Sequence, residues 1–383
     1  MGQTARLFYD DSETDSDLYY LTGFLAGDPF LLLECAGRRT LFLSDLEVDR
    51  ARPLAGPGGR IHEVVRLEEI TERIKKDHPE PPAEPVPRVG LHVLYIARDR
   101  GITALDVPAR FPVGLADVVR GHGIGVHWRP SPFVPERTVK TKDEIARIRE
   151  AIRHTEAAIE AGIDRIRGAS IRGSQLEEGG VPLTSEAVRA TIARSLLERN
   201  CFCPTIIVAG GEQGCDPHER GHGPLPAHMP IILDVFPRHL GNRYHGDLTR
   251  TVVRGRASGE ARRMFDAVKE AKARAEGMLK EGIDGFDVHA AVRKTFDDAG
   301  FETGLRGGRN VGFFHGTGHG LGLDVHELPR LSRVHEVMRE GHVVTVEPGL
   351  YYPGVGGVRL EDDVLVTAGG CENLGSLGCE FEV

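Results

Sequence analysis

The chain has few cysteines, no long apolar run and no excess of positive charge, and each absence excludes a class of protein. Its six cysteines include no Cys-x-x-Cys pair and are too few for a disulfide scaffold in 383 residues, so reduced thiols in a cytoplasmic protein are expected. No run of about 18 apolar residues occurs, and the first residues carry no signal-peptide pattern, so neither a membrane span nor secretion is expected. The formal net charge of −9 argues against nucleic acid and against a membrane surface as partners.

Length and proline content predict two domains. The 383 residues suffice for two or three domains, and 40% hydrophobic with 27% charged residues is ordinary for a globular protein. The proline-rich segment 129–135 is the predicted boundary between a domain at 1–135 and a domain at 138–383. The first is predicted to be a smaller α/β domain, with strands at 30–34, 40–43 and 90–95, a helix at 67–76 and a proline-dense surface connection at 78–87.

The larger domain is predicted to contain one pattern twice, two helices followed by two strands. Its first helix begins at Thr141, which has capping-box spacing to Glu144, and its isoleucines follow at steps of 3, 4, 7, 4 and 3 residues in one apolar stripe. The expected fold class is α+β, with two αα-ββ halves related by a pseudo-twofold axis. The predicted elements are helices from 141 and at 184–199, 259–281 and 284–299, and strands at 205–209, 230–236, 244–253, 342–347 and 356–366.

Four carboxylates lie in otherwise apolar, strand-like runs of these halves, Asp234 and Asp247 in the first and Glu347 and Glu361 in the second. A carboxylate that enters a core must be paired or must coordinate a metal. Alternation along each strand lets Asp234 and Asp247 project to one face of a hairpin. Each acid alone could be a solvated or edge-strand charge, but two divalent cations would balance all four. The set therefore favours a two-metal hydrolytic centre.

Histidines supply candidates for the remaining ligand and for substrate contacts. His319 sits in a glycine-rich segment, HGTGHGLG, that allows a close backbone approach to a buried site. His326 follows seven residues later, and His315 and His218 are further candidates, although most of the 17 histidines must be surface or packing residues. Oxygen-rich sites with one imidazole favour Mn(II), Co(II) or Zn(II). Two such ions about 3.5–4 Å apart can share a hydroxide for hydrolysis of an amide or ester.

Longer motifs resemble a known family. HGTGHGLGLDVHE at 315–327, EPG at 347–349 and GGVRLEDD at 356–363 resemble the pita-bread metallopeptidases, which include aminopeptidase P, prolidase, methionine aminopeptidase and creatinase. This resemblance covers about 138–383 and implies a pita-bread catalytic domain. Residues 1–135 resemble the N-terminal domain of the creatinase and prolidase type, most visibly at 17–24.

The resemblance also implies roles for individual residues. Glu347 matches the ligand that shuttles the proton of the attacking water. His326 matches the histidine that contacts the scissile peptide, His218 the upstream histidine that assists substrate binding and proton transfer, and His315 a further histidine on the substrate side. Arg359 matches a partner that orients a ligand carboxylate. By motif position, the implied metal ligands are Asp234, Asp247, His319, Glu347 and Glu361.

Two features depart from the family's pattern. Asp234 and Asp247 are 13 residues apart, two more than is usual, so the turn at 237–243 is enlarged and its effect on the pocket rim is open. The segment that leads to His218, AGGEQGCDPH, matches its motif loosely.

The resemblance implies an Xaa-Pro aminopeptidase that acts on proline-containing peptides with two divalent ions, Mn(II) first among the candidates. An Xaa-Pro dipeptidase (prolidase) stays open as the alternative, because no residue spacing distinguishes the two. Creatinase is metal-free, and a non-catalytic pita-bread domain that binds proteins typically lacks some ligands, so the intact set argues against both. The family further implies a homodimer.

Overall fold

The computed structural model describes residues 2–77 and 86–383, and the chain divides into two compact units, Met1–Pro135 and Glu136–Val383. The greater part of the predicted proline-dense connection, 78–85, lies outside the described residues. In the described ranges, every helix is too short or too polar to cross a lipid bilayer.

The first unit is built on one mixed sheet. Its elements are β1 (Gln3–Asp10), α1 (Ser16–Thr22), β2 (Phe30–Cys35), β3 (Arg38–Leu43), α2 (Val48–Ala51), β4 (Glu63–Arg66), α3 (Leu67–Asp77), α4 (Arg88–Asp99), β5 (Ile102–Pro108), α5 (Val113–Gly121) and β6 (Gly125–Arg129). The strands lie in the order β4-β3-β2-β1-β5-β6. The β2 strand pairs antiparallel with both neighbours, whereas β3 with β4, β1 with β5 and β5 with β6 are parallel.

Strand alternation divides the apolar side chains of this sheet between two cores. Leu31 and Leu33 of β2 pack in a cluster with residues of α4 and α5, whereas Phe30 and Leu32 pack in a second cluster with residues of α1 and α2. The predictions of strands at 30–34 and 40–43 and of a helix at 67–76 are confirmed.

The prediction of a strand at 90–95 is wrong, because these residues lie inside helix α4. The run Leu91–Ile96 is apolar and short, and such a run fits a buried helix as well as a strand. In the structure Val93, Leu94 and Ala97 are buried at helical spacing, and Pro87 immediately precedes the first turn.

The second unit contains four longer helices and several small antiparallel sheets. Its elements are α6 (Lys142–Gly168), β7 (Ser170–Arg172), β8 (Gln175–Glu178), β9 (Val181–Pro182), α7 (Ser185–Leu197), β10 (Cys201–Phe202), β11 (Ile207–Gly210), β12 (Ile231–Val235), β13 (Arg238–His239), β14 (Leu248–Val252), α8 (Gly259–Met278), α9 (Gly285–Asp298), β15 (Gly304–Arg306), β16 (Arg309–Val311), β17 (Gly318–Gly320), β18 (Glu327–Leu331), β19 (Val343–Val346), β20 (Gly349–Tyr352), β21 (Gly356–Arg359), β22 (Asp362–Val366) and β23 (Cys371–Asn373). The two central sheets have the orders β11-β12-β14 and β18-β17-β19-β22-β23.

The predicted recurrence of two helices and then strands is confirmed. Helices α6 and α7 pack together before the β11-β12-β14 sheet, and α8 and α9 pack together before the sheet that contains β19 and β22. The capping box of α6 forms as predicted: Thr141 Oγ1 accepts from the Glu144 N–H, and Glu144 Oε2 accepts from the Thr141 N–H. The isoleucine stripe of α6 faces inward at Ile148, Ile152 and Ile159, which are fully buried.

Two predicted strands have different limits. The strand predicted at 244–253 begins only at Leu248, and the strand predicted at 356–366 is two strands, β21 and β22. The second difference arises because β21 pairs with β20 while β22 pairs with β19, so the chain passes from one sheet to another at Leu360 and Glu361. The alternation of residues along the sequence gives no sign of such a change of sheet.

Candidate metal centre

The five predicted metal ligands lie at the centre of the second unit, on or next to strands of both halves. Asp234 is within β12, and Asp247 immediately precedes β14. His319 is the middle residue of β17, Glu347 directly follows β19, and Glu361 lies between β21 and β22.

Strand register brings the acids of each half together. In the first half Asp234 pairs with Thr249 and Val235 with Leu248, so Asp247 lies at the end of the same hairpin ladder. In the second half Val346 pairs with Asp362, which places Glu347 and Glu361 one step beyond that pair. An antiparallel bridge between Thr249 and Glu361 then joins the two halves.

The ligand atoms converge in one cavity. His319 Nε2 lies 3.4 Å from Glu347 Oε1 and 3.8 Å from Asp247 Oδ2. One ligand atom each from Asp247, His319 and Glu361 lie within 4.8 Å of one another. All five predicted ligands line a cavity of about 790 Å³. The prediction that they come together is thus met by the geometry, although their role as ligands remains a proposal.

The ring orientation of His319 suits a metal ligand. Its Nδ1 lies 3.1 Å from the carbonyl oxygen of Gly320, and a carbonyl only accepts, so Nδ1 carries the proton. The lone pair of Nε2 therefore faces the carboxylates. Burial also lowers the pKa of His319, which keeps the ring neutral.

The carboxylates of this cluster lie close together, and a neighbouring cation would stabilise their ionised forms. Burial raises the pKa of Glu347 to about 7, and burial together with repulsion from neighbouring acids raises the pKa of Asp247 and of Glu361 well above the usual range. Asp234 Oδ1 is buried and has no hydrogen-bond partner among the described residues. Such an arrangement of acids and an open lone pair fits divalent cations, which would lower all three pKa values and coordinate the unpartnered oxygen.

Neighbouring side chains hold these acids in place. Arg359 donates from Nη2 to Asp234 Oδ2 and from Nη1 to the Tyr351 hydroxyl, as expected for a residue that orients a ligand carboxylate. The Thr249 hydroxyl donates to Glu361 Oε2 over 2.6 Å. Arg359 and Thr249 thus each hold one oxygen of a carboxylate that lines the cavity.

Comparison with known proteins agrees with this geometry. Residues 146–368 match the profile of metallopeptidase family M24. The chain belongs to this family. Because M24 proteins are metallopeptidases, membership implies divalent metal ions, and the five convergent residues of this chain fit them.

Two M24 relatives and two solved structures illustrate the similarity. The chain is 32% identical over 247 residues to an Xaa-Pro dipeptidase of Pyrococcus furiosus, covering 62% of this chain and 63% of that protein. It is 29% identical over 285 residues to an Xaa-Pro dipeptidase of Pyrococcus horikoshii, covering 72% and 73%. The matched part therefore spans less than two thirds of the first relative.

The solved structures confirm the predicted pita-bread fold. An X-Pro aminopeptidase from Thermotoga maritima superposes with a TM-score of 0.78 at 23% identity over 100% of this chain and 98% of that chain. A prolidase from Pyrococcus furiosus superposes with a TM-score of 0.76 at 23% identity over 99% and 97%. At this identity the superpositions show the fold alone.

The three predicted substrate-side histidines of this M24 protein all line the cavity. His326 stacks edge-on to His319, with ring centroids 4.4 Å apart, and burial lowers the pKa of His326 to about 4. His218 is exposed in the cavity wall, and its backbone N–H donates to Asp216 Oδ1. His326 can therefore present a neutral ring to a bound molecule, and His218 can present an exposed one.

His315 differs from the other two because both its ring nitrogens have protein partners. Nδ1 donates to the Gly316 carbonyl over 2.7 Å, and Nε2 accepts from the Tyr351 hydroxyl over 3.0 Å. Burial lowers the pKa of His315 to about 3, so the ring stays neutral. Its predicted contact with substrate remains a prediction, and in this arrangement such a contact would be made by ring carbons.

Several residues of the site were not singled out from the sequence. Tyr351 links Arg359 to His315, and Asp363 Oδ2 accepts the backbone N–H of Asp247 over 2.9 Å. Arg330 lines the cavity and is the register partner of His319 on β18. Tyr351 and Asp363 follow the predicted ligands Glu347 and Glu361 within a few residues, and this proximity was the signal available in the sequence.

The enlarged turn at 237–243 is directed toward helix α6. Asn242 Nδ2 donates to Glu150 Oε2, and the rings of His154 and His239 stack with centroids 5.8 Å apart. Glu150, His154 and His239 offer ligand atoms within 4.8 Å of one another. However, His239 Nδ1 accepts backbone N–H groups from within the turn, so Nε2 carries the proton and the ring stabilises the turn.

Proposed function

We propose that this chain is a metal-dependent peptidase that hydrolyses the bond before proline at the N-terminus of short peptides. The observation that carries the proposal is the convergence of His319 Nε2, three buried carboxylates and the partly buried carboxylate of Glu347 on one cavity. The similarity of the chain to two Xaa-Pro dipeptidases supports the choice of bond.

The proposed ligands are Asp234, Asp247, His319, Glu347 and Glu361. Two divalent ions held there, with Mn(II) as our first choice and Co(II) or Zn(II) as alternatives, would supply an acidified water and polarise the scissile carbonyl. The four carboxylates suit this task because their four negative charges balance the four positive charges of two divalent ions.

The protein's own groups would move the proton and hold the substrate. We assign Glu347 to take the proton of the attacking water and return it to the leaving nitrogen. The Glu347 carboxylate lines the cavity beside the other proposed ligands, where it can reach a water held by the proposed ions. We assign His326 and His218 to hydrogen-bond the scissile peptide and the tetrahedral species from the cavity wall.

Arg330 favours a dipeptide as substrate. Two arginines line the cavity, and Arg359 is buried and bound to Asp234 and Tyr351, whereas Arg330 is exposed. An exposed guanidinium in the cavity wall fits the free carboxylate of an Xaa-Pro dipeptide. This favours prolidase activity over the aminopeptidase activity expected from the sequence, which stays the second candidate.

The test combines metal analysis with a substrate series. Protein purified without chelator is analysed for Mn, Co, Zn and Fe, and turnover is measured on Xaa-Pro, Xaa-Pro amide and Xaa-Pro-Yaa. We expect about two ions per chain, loss of activity after chelation, and recovery with Mn(II). Turnover of Xaa-Pro above that of the amide and of the tripeptide supports a dipeptidase, and the reverse order supports an aminopeptidase. Absence of turnover on all three, with ions bound, would refute the proposal.

The variant Glu347→Ala distinguishes an enzyme from a non-catalytic binding domain. Loss of hydrolysis with the fold and peptide binding retained supports the enzyme. A cytoplasmic location and a homodimer stay predictions, and size-exclusion chromatography with light scattering tests the dimer.

A further inference from the structure

A buried ion network lies directly beside His326. The next residue, Glu327, has a side chain that is 7% exposed and accepts from Lys140 Nζ over 2.6 Å and from Arg137 Nη2. The Lys140 side chain is itself only 2% exposed, and its Nζ also donates to the Arg137 carbonyl over 2.5 Å. These cations belong to the segment immediately before helix α6, far in sequence from Glu327.

The network is connected to the irregular segment 321–326, which joins β17 to β18. Glu327 Oε1 accepts the backbone N–H of Asp324 over 3.1 Å, and the Gly322 N–H donates to the Asp324 carbonyl. A Cβ on Gly322 would lie 2.8 Å from Glu327 Oε2, so the carboxylate is packed against the backbone of the segment. The segment is therefore folded around one side chain.

We propose that Glu327 is a positioning residue that fixes the direction of His326, with Lys140 and Arg137 as its anchors. Both carboxylate oxygens of Glu327 are held, which fixes its Cα and the peptide bond that joins it to His326. This inference rests on the proposed function, since it assigns a use to the placement of His326 in the cavity.

The charges favour a rigid arrangement. Burial alone would raise the pKa of Glu327, but Lys140 and Arg137 outweigh burial and lower it, so the carboxylate is ionised and its hydrogen bonds are charge-assisted. Arg137 also pairs with Asp324 over 2.8 Å, which gives the segment a second link to the same anchor. Because catalysis depends on placement, a shift of about 1 Å in a catalytic group can cost about 100-fold in rate.

The test is a double-mutant cycle with Glu327→Gln and His326→Ala. We expect Glu327→Gln to lower kcat on Xaa-Pro by about 10- to 100-fold with a smaller change in KM. In the His326→Ala background, the same substitution is expected to change kcat less than about twofold, because the residue acts through His326. If the two substitutions reduced kcat independently, so that the loss in the double variant equalled the product of the single losses, the inference would be overturned. Unchanged activity of His326→Ala would overturn it as well.

A second readout does not depend on activity. Hydrogen exchange of the ion-free protein is expected to be faster at Gly322 and Asp324 in Glu327→Gln than in the unmodified chain. Unchanged exchange there would overturn the inference. Absence of turnover in the unmodified protein would refute the proposed function, and the exchange comparison would still decide whether Glu327 orders the segment.

Two further variants guard against a folding failure. Glu327→Asp keeps the charge but shortens the side chain by one methylene, so it should fold and give an intermediate loss. Glu178→Gln is the control, because it removes a charge-assisted pair to Arg165 of helix α6, and neither residue lines the cavity. We expect that control to leave kcat and the exchange of 321–327 unchanged, and an equal effect of both variants would overturn the inference.

Discussion

The guanidinium of Arg359 joins Asp234 to the interior of the second unit. Its Nη2 donates to Asp234 Oδ2, while Asp234 Oδ1 stays buried without a hydrogen-bond partner among the described residues. The same guanidinium donates from Nη1 to Tyr351 over 2.9 Å. One oxygen of Asp234 is thus fixed by the protein, and the other is the atom that the proposed ion would bind.

Replacement of Arg359 should weaken ion binding. Arg359→Lys retains the charge but loses the planar pair of donors, so Asp234 is no longer oriented. We expect the affinity for Mn(II), measured by titration calorimetry, to fall by about 10- to 100-fold. Arg309→Lys is the control, because Arg309 forms an exposed pair with Glu212 and should have no effect. Equal affinities for Arg359→Lys and the unmodified protein would contradict the orienting role.

The raised pKa of Glu347 predicts a pH-dependent stability of the ion-free protein. A carboxyl whose pKa rises on folding from 4.5 to about 7 keeps its proton longer in the folded state. The folded state is therefore destabilised as the pH rises from about 4.5 through 7. Glu347→Gln lacks this group, so above pH 7 it should be more stable than the unmodified protein by about 2–4 kcal/mol.

Urea denaturation at several pH values measures that difference. The two proteins should have similar stability near pH 4, and the gap should open as the pH rises. Part of that gap comes from Asp247 and Glu361, because the charge of Glu347 contributes to their raised pKa values. Saturating Mn(II) at pH 8 should reverse the order, because the ions bind the ionised carboxylate. A gap that is independent of pH would show that Glu347 does not titrate in this range.

Arg330 should decide how strongly a free carboxylate is bound. Removal of a charged hydrogen bond costs about 1.5–3 kcal/mol, so Arg330→Gln should raise KM for an Xaa-Pro dipeptide by about 10- to 150-fold. The corresponding Xaa-Pro amide lacks the charge and should lose little. Steady-state kinetics on both substrates test this, and equal losses on the dipeptide and its amide would contradict a carboxylate contact.

Gly246 has no free space for a side chain. A Cβ there would lie 2.8 Å from Thr155 Oγ1 and 2.9 Å from the backbone nitrogen of Ile152, so the segment before Asp247 must approach helix α6 closely. We expect Gly246→Ala to lower the free energy of unfolding by about 1–3 kcal/mol and to weaken Mn(II) binding. Gly168→Ala, in open space at the end of the same helix, should be neutral or stabilising. Similar behaviour of both variants would contradict the steric explanation.

Much of the site follows from residue type and short motifs. The carboxylates in apolar runs and His319 among glycines predicted the five groups that converge, and the capping box predicted the start of α6. The helix at 88–99 was missed because a short apolar run has no decisive period. The enlarged turn was visible in the spacing, but its direction toward Glu150 was not.

The sequence by itself determined which groups this protein has for chemistry, because residue identity and local periodicity are properties of short segments. Only the tertiary structure decided how those groups are held. The Asp247 N–H donates to Asp363, which is 116 residues away in sequence. Arg359 donates to Asp234 over a separation of 125 residues, and Lys140 donates to Glu327 over a separation of 187. Such contacts depend on how two sheets and their helices pack, and packing is set by the summed burial of many side chains that no single segment specifies.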